Sequence, residues 1–166
     1  MEYISSDTNV WVDFFSIDRL SLPFLLPFTF IMYEETVDDE LIKPKDLGNR
    51  LIEYGLQSID ISLDEFILAE EYNEKYKQPS KHDCMAMAIA KHRGIILMTG
   101  DKNLRKAAAR EGVKVIGTLG ILDMLFDRGC IDATEYRLCL EKFDSKNGGV
   151  IRLPQNEISE RLGKIK

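Results

Sequence analysis

The stretch Gly94-Ile-Ile-Leu-Met-Thr-Gly-Asp101 decides the fold of this chain, because it joins a fully apolar strand to an acidic residue at its end. A short apolar run closed by glycine is typical of a strand buried on both faces of a sheet. Residues 80–93 before it carry apolar side chains at helical spacing, with Ser80 placed as N-cap and Gly94 just past the end. After it, a helix that stops at Gly112 leads into another short strand. The order is helix, strand, helix, strand.

The N-terminal half repeats this alternation. Residues 3–6, 29–33 and 58–61 are predicted as strands, residues 9–17 as a helix, and a further helix is predicted through Leu41 and Ile42. Ser62 and Glu65 form a capping-box pattern that opens a helix reaching about residue 76. Strands that alternate with helices in this way predict an α/β fold with a parallel sheet and helices on both faces. Ligands of such folds bind beyond the carboxyl ends of the strands.

The C-terminal part of the chain is predicted to be helical. One helix begins near Thr118, a second covers about residues 133–143, and the tail places Ile158, Leu162 and Ile165 on one narrow apolar stripe. Such a stripe needs a surface to pack on. We therefore divide the chain into a domain over residues 1–130 and a helical C-terminal extension over residues 131–166, which packs on that domain or on a partner.

Composition limits the classes of protein that fit. A chain of 166 residues with 45% hydrophobic content suits one core. The net charge of −6 means that a nucleic-acid ligand would need a local basic patch or metal ions. Three cysteines without CxxC spacing indicate reduced thiols in a cytoplasmic protein. The most apolar stretch, residues 20–32, contains two prolines and is too short to span a bilayer, so no membrane partner is expected.

Three aspartates stand at the ends of predicted strands or in the first turn of the next helix: Asp7, Asp83 and Asp101. Each position also suits a helix cap, because a carboxylate accepts hydrogen bonds from the first backbone N–H groups. Together they would crowd negative charge at one sheet edge, where two carboxylates about 5 Å apart repel by roughly 3 kcal/mol. A divalent cation would relieve that repulsion, and hard oxygen ligands suit Mg²⁺ or Mn²⁺.

Four sequence blocks resemble the PIN-domain family. They are Ser5-Ser-Asp-Thr-Asn-Val-Trp11, Glu40-Leu41, Asp83 at the head of an alanine-rich helix, and Leu97-Met-Thr-Gly-Asp-Lys-Asn-Leu-Arg105. The continuation over residues 107–122 resembles the subgroup related to VapC-like toxins of toxin–antitoxin pairs. The resemblance covers about residues 3–127. It implies a three-layer α/β/α sandwich, a nuclease domain over residues 1–130, and a metal-dependent endoribonuclease that cuts RNA with Mg²⁺ or Mn²⁺.

The resemblance also assigns roles to individual residues. Asp7, Asp83 and Asp101 match the metal-binding acids, and Glu40 matches the fourth catalytic acid. The register of Glu40 stays open, because Glu34, Glu35, Asp38 and Asp39 stand in the same segment and the usual preceding proline is missing. The places that support these acids are taken by Thr8, Asn9 and Asn103. Partners implied by the family are RNA, an antitoxin protein and a second copy of the chain.

Basic residues cluster in sequence around two of the acids, and they would supply the rim that an RNA backbone needs: Lys81, Lys102, Arg105 and Lys106. Ordinary helix-surface pairing is the alternative for Arg105, four residues after Asp101. His82 and His92 are expected on helix surfaces rather than as ligands.

Two other classes of protein remain as alternatives. One is a catalytically silent PIN-like domain that binds RNA or a protein. The other is an aspartate-based phosphotransfer domain, which would need an acidic pair after the first strand, where the chain has Ser5-Ser6-Asp7. In a metal-dependent nuclease, a metal-activated water would attack the phosphodiester, so no nucleophilic side chain is required. This agrees with the lack of a convincing Ser-His-Asp, Walker or GxGxxG pattern in the chain.

Overall fold

The computed structural model describes residues 2–165 and contains a parallel sheet flanked by helices. The strands are β1 (Glu2–Ser6), β2 (Phe28–Tyr33), β3 (Gln57–Ile59), β4 (Ile96–Met98) and β5 (Val115–Ile116). The helices are α1 (Thr8–Ser16), α2 (Glu34–Glu40), α3 (Leu47–Tyr54), α4 (Leu63–Lys75), α5 (Lys81–Arg93), α6 (Lys102–Arg110), α7 (Thr118–Asp127), α8 (Ala133–Lys146) and α9 (Gln155–Lys164), with a 3₁₀ turn at Leu22–Leu25. The α/β/α fold expected from the sequence is confirmed.

The strand order of the sheet is β3-β2-β1-β4-β5, and every pairing is parallel. The central strand β1 pairs on one side with β2, where Ile4 lies opposite Phe30, and on the other with β4, where Ile4 lies opposite Ile96. The chain winds outward from β1 to β3 and then returns to the other side of β1. The reversal falls between β1 and β4, and in open α/β sheets the crevice beyond the strand ends at such a point is where ligands bind.

Each face of the sheet is covered by its own hydrophobic core. The larger core lies beneath α1, α3, α7, α8 and α9 and receives Ile4, Phe30 and Met98 from the strands. The smaller core, beneath α4, α5 and α6, receives Leu97 from β4, and six of its thirteen buried residues are alanine. Trp11 and Phe14 of α1 are fully buried. Neighbouring positions of β4 therefore face opposite cores, as the pleat requires.

Local signals in the sequence set several of the helix ends. Ser62 with Glu65 and Ser80 with Asp83 both form complete capping boxes, in which side chain and backbone hydrogen bond reciprocally. Helix α5 ends at Gly94, whose φ of 65° is the left-handed conformation that favours glycine.

The prediction of a helix through Leu41 and Ile42 is wrong in extent. Helix α2 ends at Glu40, and Pro44, which cannot donate to a helical hydrogen bond, follows within a turn. The unpredicted α3 then packs against α2 at Gly48, where an added Cβ would stand 3.4 Å from side-chain atoms of Leu41 and Val37.

The C-terminal helices pack on the larger core. Ile158 of α9 is fully buried there, and Leu162 and Ile165 are partly buried against the same cluster. Arg161 of α9 forms a bidentate ion pair with Asp123 of α7, at 2.7 to 3.0 Å. The tail stripe is thus covered by the chain itself, while the division at residue 130 stays a prediction. Across residues 2–165 none of the helices has the length and apolar character that crossing a bilayer would take.

Candidate active site

A cleft of about 350 Å³ opens at the carboxyl edge of the sheet, beside the point where the strand order reverses. Four acidic residues line it: Asp7, Glu40, Asp83 and Asp101. Asp7 follows β1 and Asp101 follows β4, and these two strands are neighbours, so the sheet itself brings the two residues together. The backbone N–H of Asp7 donates to the carbonyl oxygen of Met98 at 2.9 Å, which continues the β1–β4 pairing to the cleft.

Asp7 is the most deeply placed of the four acids, with only 4% of its surface exposed. It is the N-cap of α1, and its Oδ1 accepts a hydrogen bond from the N–H of Thr8 at 2.8 Å. Its Oδ2 accepts a second bond from the hydroxyl of Thr99, also at 2.8 Å. Two short bonds from different elements fix the position of the carboxylate, so Asp7 is both a cap and a rigid acidic group.

Thr99 links the first and last acids. Its buried hydroxyl donates to Asp7 and accepts a hydrogen bond from the backbone N–H of Asp101 at 3.1 Å. Asp101 is the N-cap of α6, where its Oδ1 accepts from the N–H of Leu104 at 2.8 Å. Thr99 is not among the site residues predicted from the sequence, although a hydroxyl residue at a strand end, two positions before an aspartate, is a signal that could have identified it.

Asp83 stands in the first turn of α5, where its Oδ2 accepts from the backbone N–H of Ser80 at 2.9 Å. The capping interpretation is therefore correct for all three aspartates, since each accepts at least one backbone N–H bond. Capping uses one oxygen of Asp83 and one of Asp101. Among the residues that the structure describes, the second oxygen of each accepts no hydrogen bond from the protein.

Glu40, at the end of α2, faces the cleft through its bond with Thr8. The Thr8 hydroxyl donates to Oε1 of Glu40 at 2.6 Å. The other four acids of that segment do not line the cleft in the described structure, and Asp39 instead contacts His82, with Nε2 of the ring 3.1 Å from its carboxylate. Among the five acids of this segment, the geometry therefore favours Glu40 as the fourth acid of the site.

Electrostatic repulsion connects the four acids. Burial, followed by the charge of Asp83, raises the pKa of Asp7 to about 7, although the bonds from Thr99 and Thr8 act in the opposite direction and Glu40 adds to the rise. Burial also raises the pKa of Asp83, with further contributions from the charges of Asp101 and Glu40. Within residues 2–165 no basic nitrogen lies within 4.0 Å of any of these carboxylates. The cleft holds negative charge that the protein itself does not compensate.

The chemistry of this donor set fits a hard divalent cation. Carboxylate oxygens are the ligands that Mg²⁺ and Mn²⁺ prefer, and a cation would offset the repulsion that raises the pKa of Asp7. The positions of the side chains fit less closely. Over the described part of the chain, no group of three or more Asp, Glu, His or Cys side chains is arranged so that it could hold one metal ion. The carboxylates line the same cleft, but three of them do not surround a common position for a metal ion.

The remaining residues selected from the sequence fall into two groups. Asn9 lies in the cleft, where its Oδ1 accepts from the N–H of Gly100 at 3.1 Å, and Thr8 orients Glu40 as described. Asn103 and Lys81 are exposed at the starts of their helices and do not line the cleft. Three of the basic residues line a separate groove on the far side of Asp101: Lys102, Arg105 and Lys106.

Asp13 and its hydrogen-bond partner Thr118 were not predicted from the sequence as residues of the site. Asp13 lines the cleft one turn and a half after Asp7, and it is buried with its Oδ2 accepting from the hydroxyl of Thr118 at 2.7 Å. Burial raises the pKa of Asp13 to about 6 against the effect of that bond. The two residues are 105 positions apart, so no local pattern could have paired them.

The expectation that His82 lies on a helix surface holds only in part, because 23% of its side chain is exposed. Its ring is largely buried between α5 and α2, because Nδ1 lies 2.7 Å from the hydroxyl of Thr36 while Nε2 contacts Asp39. The contact ties the helix that carries Asp83 to the helix that ends at Glu40. His92 lies on the opposite side of the protein, where its ring approaches Glu65.

Comparison with known protein families gives a match over nearly the whole chain. The family model DUF3368, which describes a PIN domain, matches residues 3–166. No curated protein and no solved structure matches. The matched region includes all four acids of the cleft and extends through the C-terminal helices.

Proposed function

Because this chain belongs to the PIN-domain family, whose fold is of the nuclease type, we propose that it is a metal-dependent endoribonuclease. The observation that carries the proposal is the gathering of Asp7, Glu40, Asp83 and Asp101 in one cleft where the strand order reverses. A fold that buries one carboxylate and surrounds it with others pays an electrostatic cost, and binding a divalent cation is the simplest use of that arrangement. PIN domains generally use divalent metals, so family membership supports metal chemistry without identifying the ion.

Asp7, Asp83 and Asp101 would hold Mg²⁺ or Mn²⁺ in this cleft. Once bound, the cation lowers the pKa of a water molecule and neutralises charge on the phosphate oxygens. Thr99 holds the Asp7 carboxylate and the backbone of Asp101 in a fixed relation, and Thr8 does the same for Glu40. Glu40 would be available to accept a proton at its second carboxylate oxygen, because the Thr8 hydroxyl bonds only to Oε1.

The side chains of the cleft favour water as the attacking group. The hydroxyl of Thr8 is engaged by Glu40, and the hydroxyl of Ser80 accepts the N–H of Asp83 as part of the capping box. Both hydroxyls therefore already have structural hydrogen-bond partners, and the proposed mechanism uses water rather than either side chain as the nucleophile. Hydrolysis of a phosphodiester needs only an oriented water and charge compensation, which is what an all-carboxylate site can organise.

Cleavage of a labelled single-stranded RNA tests the proposal. The protein should cut the RNA with millimolar Mn²⁺ or Mg²⁺ and lose that activity in excess EDTA, since the ligands are all hard oxygens. An Asp101→Asn variant should be inactive in both buffers, and Asp38→Asn, an exposed residue outside the cleft, should cut like the wild type. Undiminished cleavage by the wild type in EDTA would contradict the metal mechanism.

One observation favours the silent alternative. The side chains of the cleft are not arranged as a closed metal site in the described structure, and a PIN-like domain that only binds RNA or a protein would need no such site. The same assay separates the two, because a binding domain retains RNA in both buffers and cuts it in neither.

The proposal extends to the biological role of the enzyme and to its partners. Resemblance to VapC-like toxins supports a role as the toxin of a toxin–antitoxin pair, with an antitoxin protein or a second copy of the chain as partner. Within the described residues all three cysteines are free thiols, which supports a reducing, cytoplasmic location. A neighbouring short reading frame that encodes a DNA-binding segment followed by an amphipathic tail, and whose product blocks cleavage, would test the toxin role.

A further inference from the structure

A groove of about 910 Å³ runs beside the acidic cleft and carries the opposite charge. One wall is α6, which contributes Lys102, Arg105 and Lys106. The other wall comes from the C-terminal extension, whose segment of residues 147–154 contributes Arg152. The groove floor is formed by the end of β5 and the start of α7. The C-terminal extension is therefore part of a charged surface and does more than cover the core.

The cations of this groove are uncompensated. Arg161, at its edge, is committed to ion pairs with Asp123 and with Glu157, an acid that also lines the groove. In contrast, across residues 2–165 no carboxylate oxygen lies within 4.0 Å of a charged nitrogen of any of the other four: Lys102, Arg105, Lys106 and Arg152. A protein with net charge −6 has enough acidic residues to pair them. Four free cations in one concave surface indicate a polyanionic ligand.

Groove and cleft are separate cavities that adjoin at the ends of β4 and α8. Gly100 lines the groove, and the next residue, Asp101, lines the cleft. On the other side, the tight turn between Asn147 and Ile151 places Val150 at the cleft with 74% of its surface exposed, while Arg152 faces the groove. A chain laid in the groove would thus reach the acids directly, passing an exposed apolar side chain at the junction.

We propose that this groove is the track for the RNA strand, with the phosphates on the four cations and the strand passing Gly100 and Val150 to reach the acidic cleft. The assignment rests on the proposed function for the choice of RNA. A single strand fits better than a duplex, because apolar atoms of Ile116, Leu119, Leu153 and Pro154 line the groove between the cations and would contact unpaired bases. The C-terminal extension is then part of the substrate-binding surface.

Salt dependence of binding to the metal-free protein tests the track without requiring cleavage. A fluorescein-labelled single-stranded RNA is titrated by anisotropy in EDTA at several salt concentrations. Each phosphate contact with a single strand contributes about 0.7 to the slope of log Kd against log salt, so the four-cation groove should give a slope of about 3. The double variant Lys106→Gln with Arg152→Gln should lower that slope by about 1.4. With equal binding at about 1 M salt, this corresponds to roughly 60-fold weaker binding at about 50 mM salt.

The matched control removes the same charge elsewhere. Lys77→Gln with Arg110→Gln changes two exposed cations that do not line the groove, and it should leave the slope within error of the wild type. All four positions are exposed, so thermal melts should show that both pairs are folded like the parent.

The outcomes separate this inference from the proposed function. If the groove pair lowers the slope while no variant of the protein ever cuts RNA, the track is supported and the nuclease proposal fails. If the wild type cuts RNA with Mn²⁺ but the groove pair binds and cuts as well as the control pair, the track is overturned and the nuclease proposal stands. An equal loss of slope in both pairs would also overturn the track, because it would show diffuse attraction rather than a defined groove.

Discussion

Replacing Asp7 with asparagine should stabilise the metal-free protein at pH 8 while it abolishes cleavage. The fold raises the pKa of the Asp7 carboxyl from 3.8 to about 7 through burial and the charge of Asp83. At about 1.4 kcal/mol per pKa unit, the charged form costs roughly 4 kcal/mol of folding free energy above pH 7. Asparagine has nearly the same shape and carries no charge, so the variant avoids that cost.

Part of the gain is lost through hydrogen bonding. The carboxylate accepts one bond from Thr8 and one from Thr99, and asparagine has only one acceptor oxygen, so one bond is lost at a cost of roughly 1–3 kcal/mol. The net stabilisation should be about 2 kcal/mol, which raises the Tm by roughly 4–8 °C in a protein of this size.

The pH dependence follows from the direction of the shift. A carboxyl whose pKa is raised by folding favours the folded state at low pH, and that contribution disappears as the pH rises from about 4 to about 7. The advantage of Asp7→Asn over the wild type should therefore be absent near pH 4, grow through that window and level off above it.

Divalent metal should reverse the order of stability. A ligand present at a hundredfold excess over its Kd stabilises the protein by about 2.7 kcal/mol, and the wild type should gain this with Mn²⁺ while the variant gains little. Differential scanning fluorimetry at pH 4 to 8, with EDTA or Mn²⁺, measures all three effects. Asp38→Asn is the matched control, since that residue is exposed and lies outside the cleft. If Asp7→Asn melts with the wild type in both buffers and at every pH, the cleft is not electrostatically strained and the reasoning is refuted.

Three further changes test other parts of the structure. Thr99→Val should lower cleavage by about 10- to 100-fold by releasing Asp7, and Thr99→Ser should restore it; equal losses in both variants would argue against the hydroxyl. Thr118→Val removes the bond that holds down the pKa of Asp13, so urea melts should show roughly 1–3 kcal/mol more destabilisation at pH 8 than at pH 4, and a pH-independent loss would contradict this. Ile158→Ala should cost about 2–5 kcal/mol if α9 is integral to the core, whereas an unchanged Tm would mean that the tail is not docked.

The fold was predictable because its signals are local. The apolar run before Gly100, the capping residues Ser62 and Ser80, and the glycine after α5 each specify an element end within a few residues, and the structure has those elements. Helix α3 was not predicted because it has no such signal: it begins at Leu47 with no side-chain cap, and its contact with α2 is tertiary.

The acids of the candidate site could be selected from the sequence, whereas other residues of the site and its surroundings could not. Acids at strand ends can be selected from the sequence because a parallel sheet gathers those ends at one edge, and the structure places Asp7, Asp83 and Asp101 in one cleft. The contribution of Asp13 depends on a partner 105 residues away, and that of Arg152 on which earlier helix the C-terminal segment meets; periodicity carries no information about either.

The most direct test of the central claim is an anomalous difference map from crystals soaked in millimolar Mn²⁺ and measured near the manganese absorption edge. We expect a peak in the acidic cleft, in contact with the carboxylate of Asp7 and with that of Asp83 or Asp101, and its loss in crystals of Asp7→Asn. A map with no manganese in the cleft at that concentration, or with the same peak retained in the Asp7→Asn crystals, would contradict the claim.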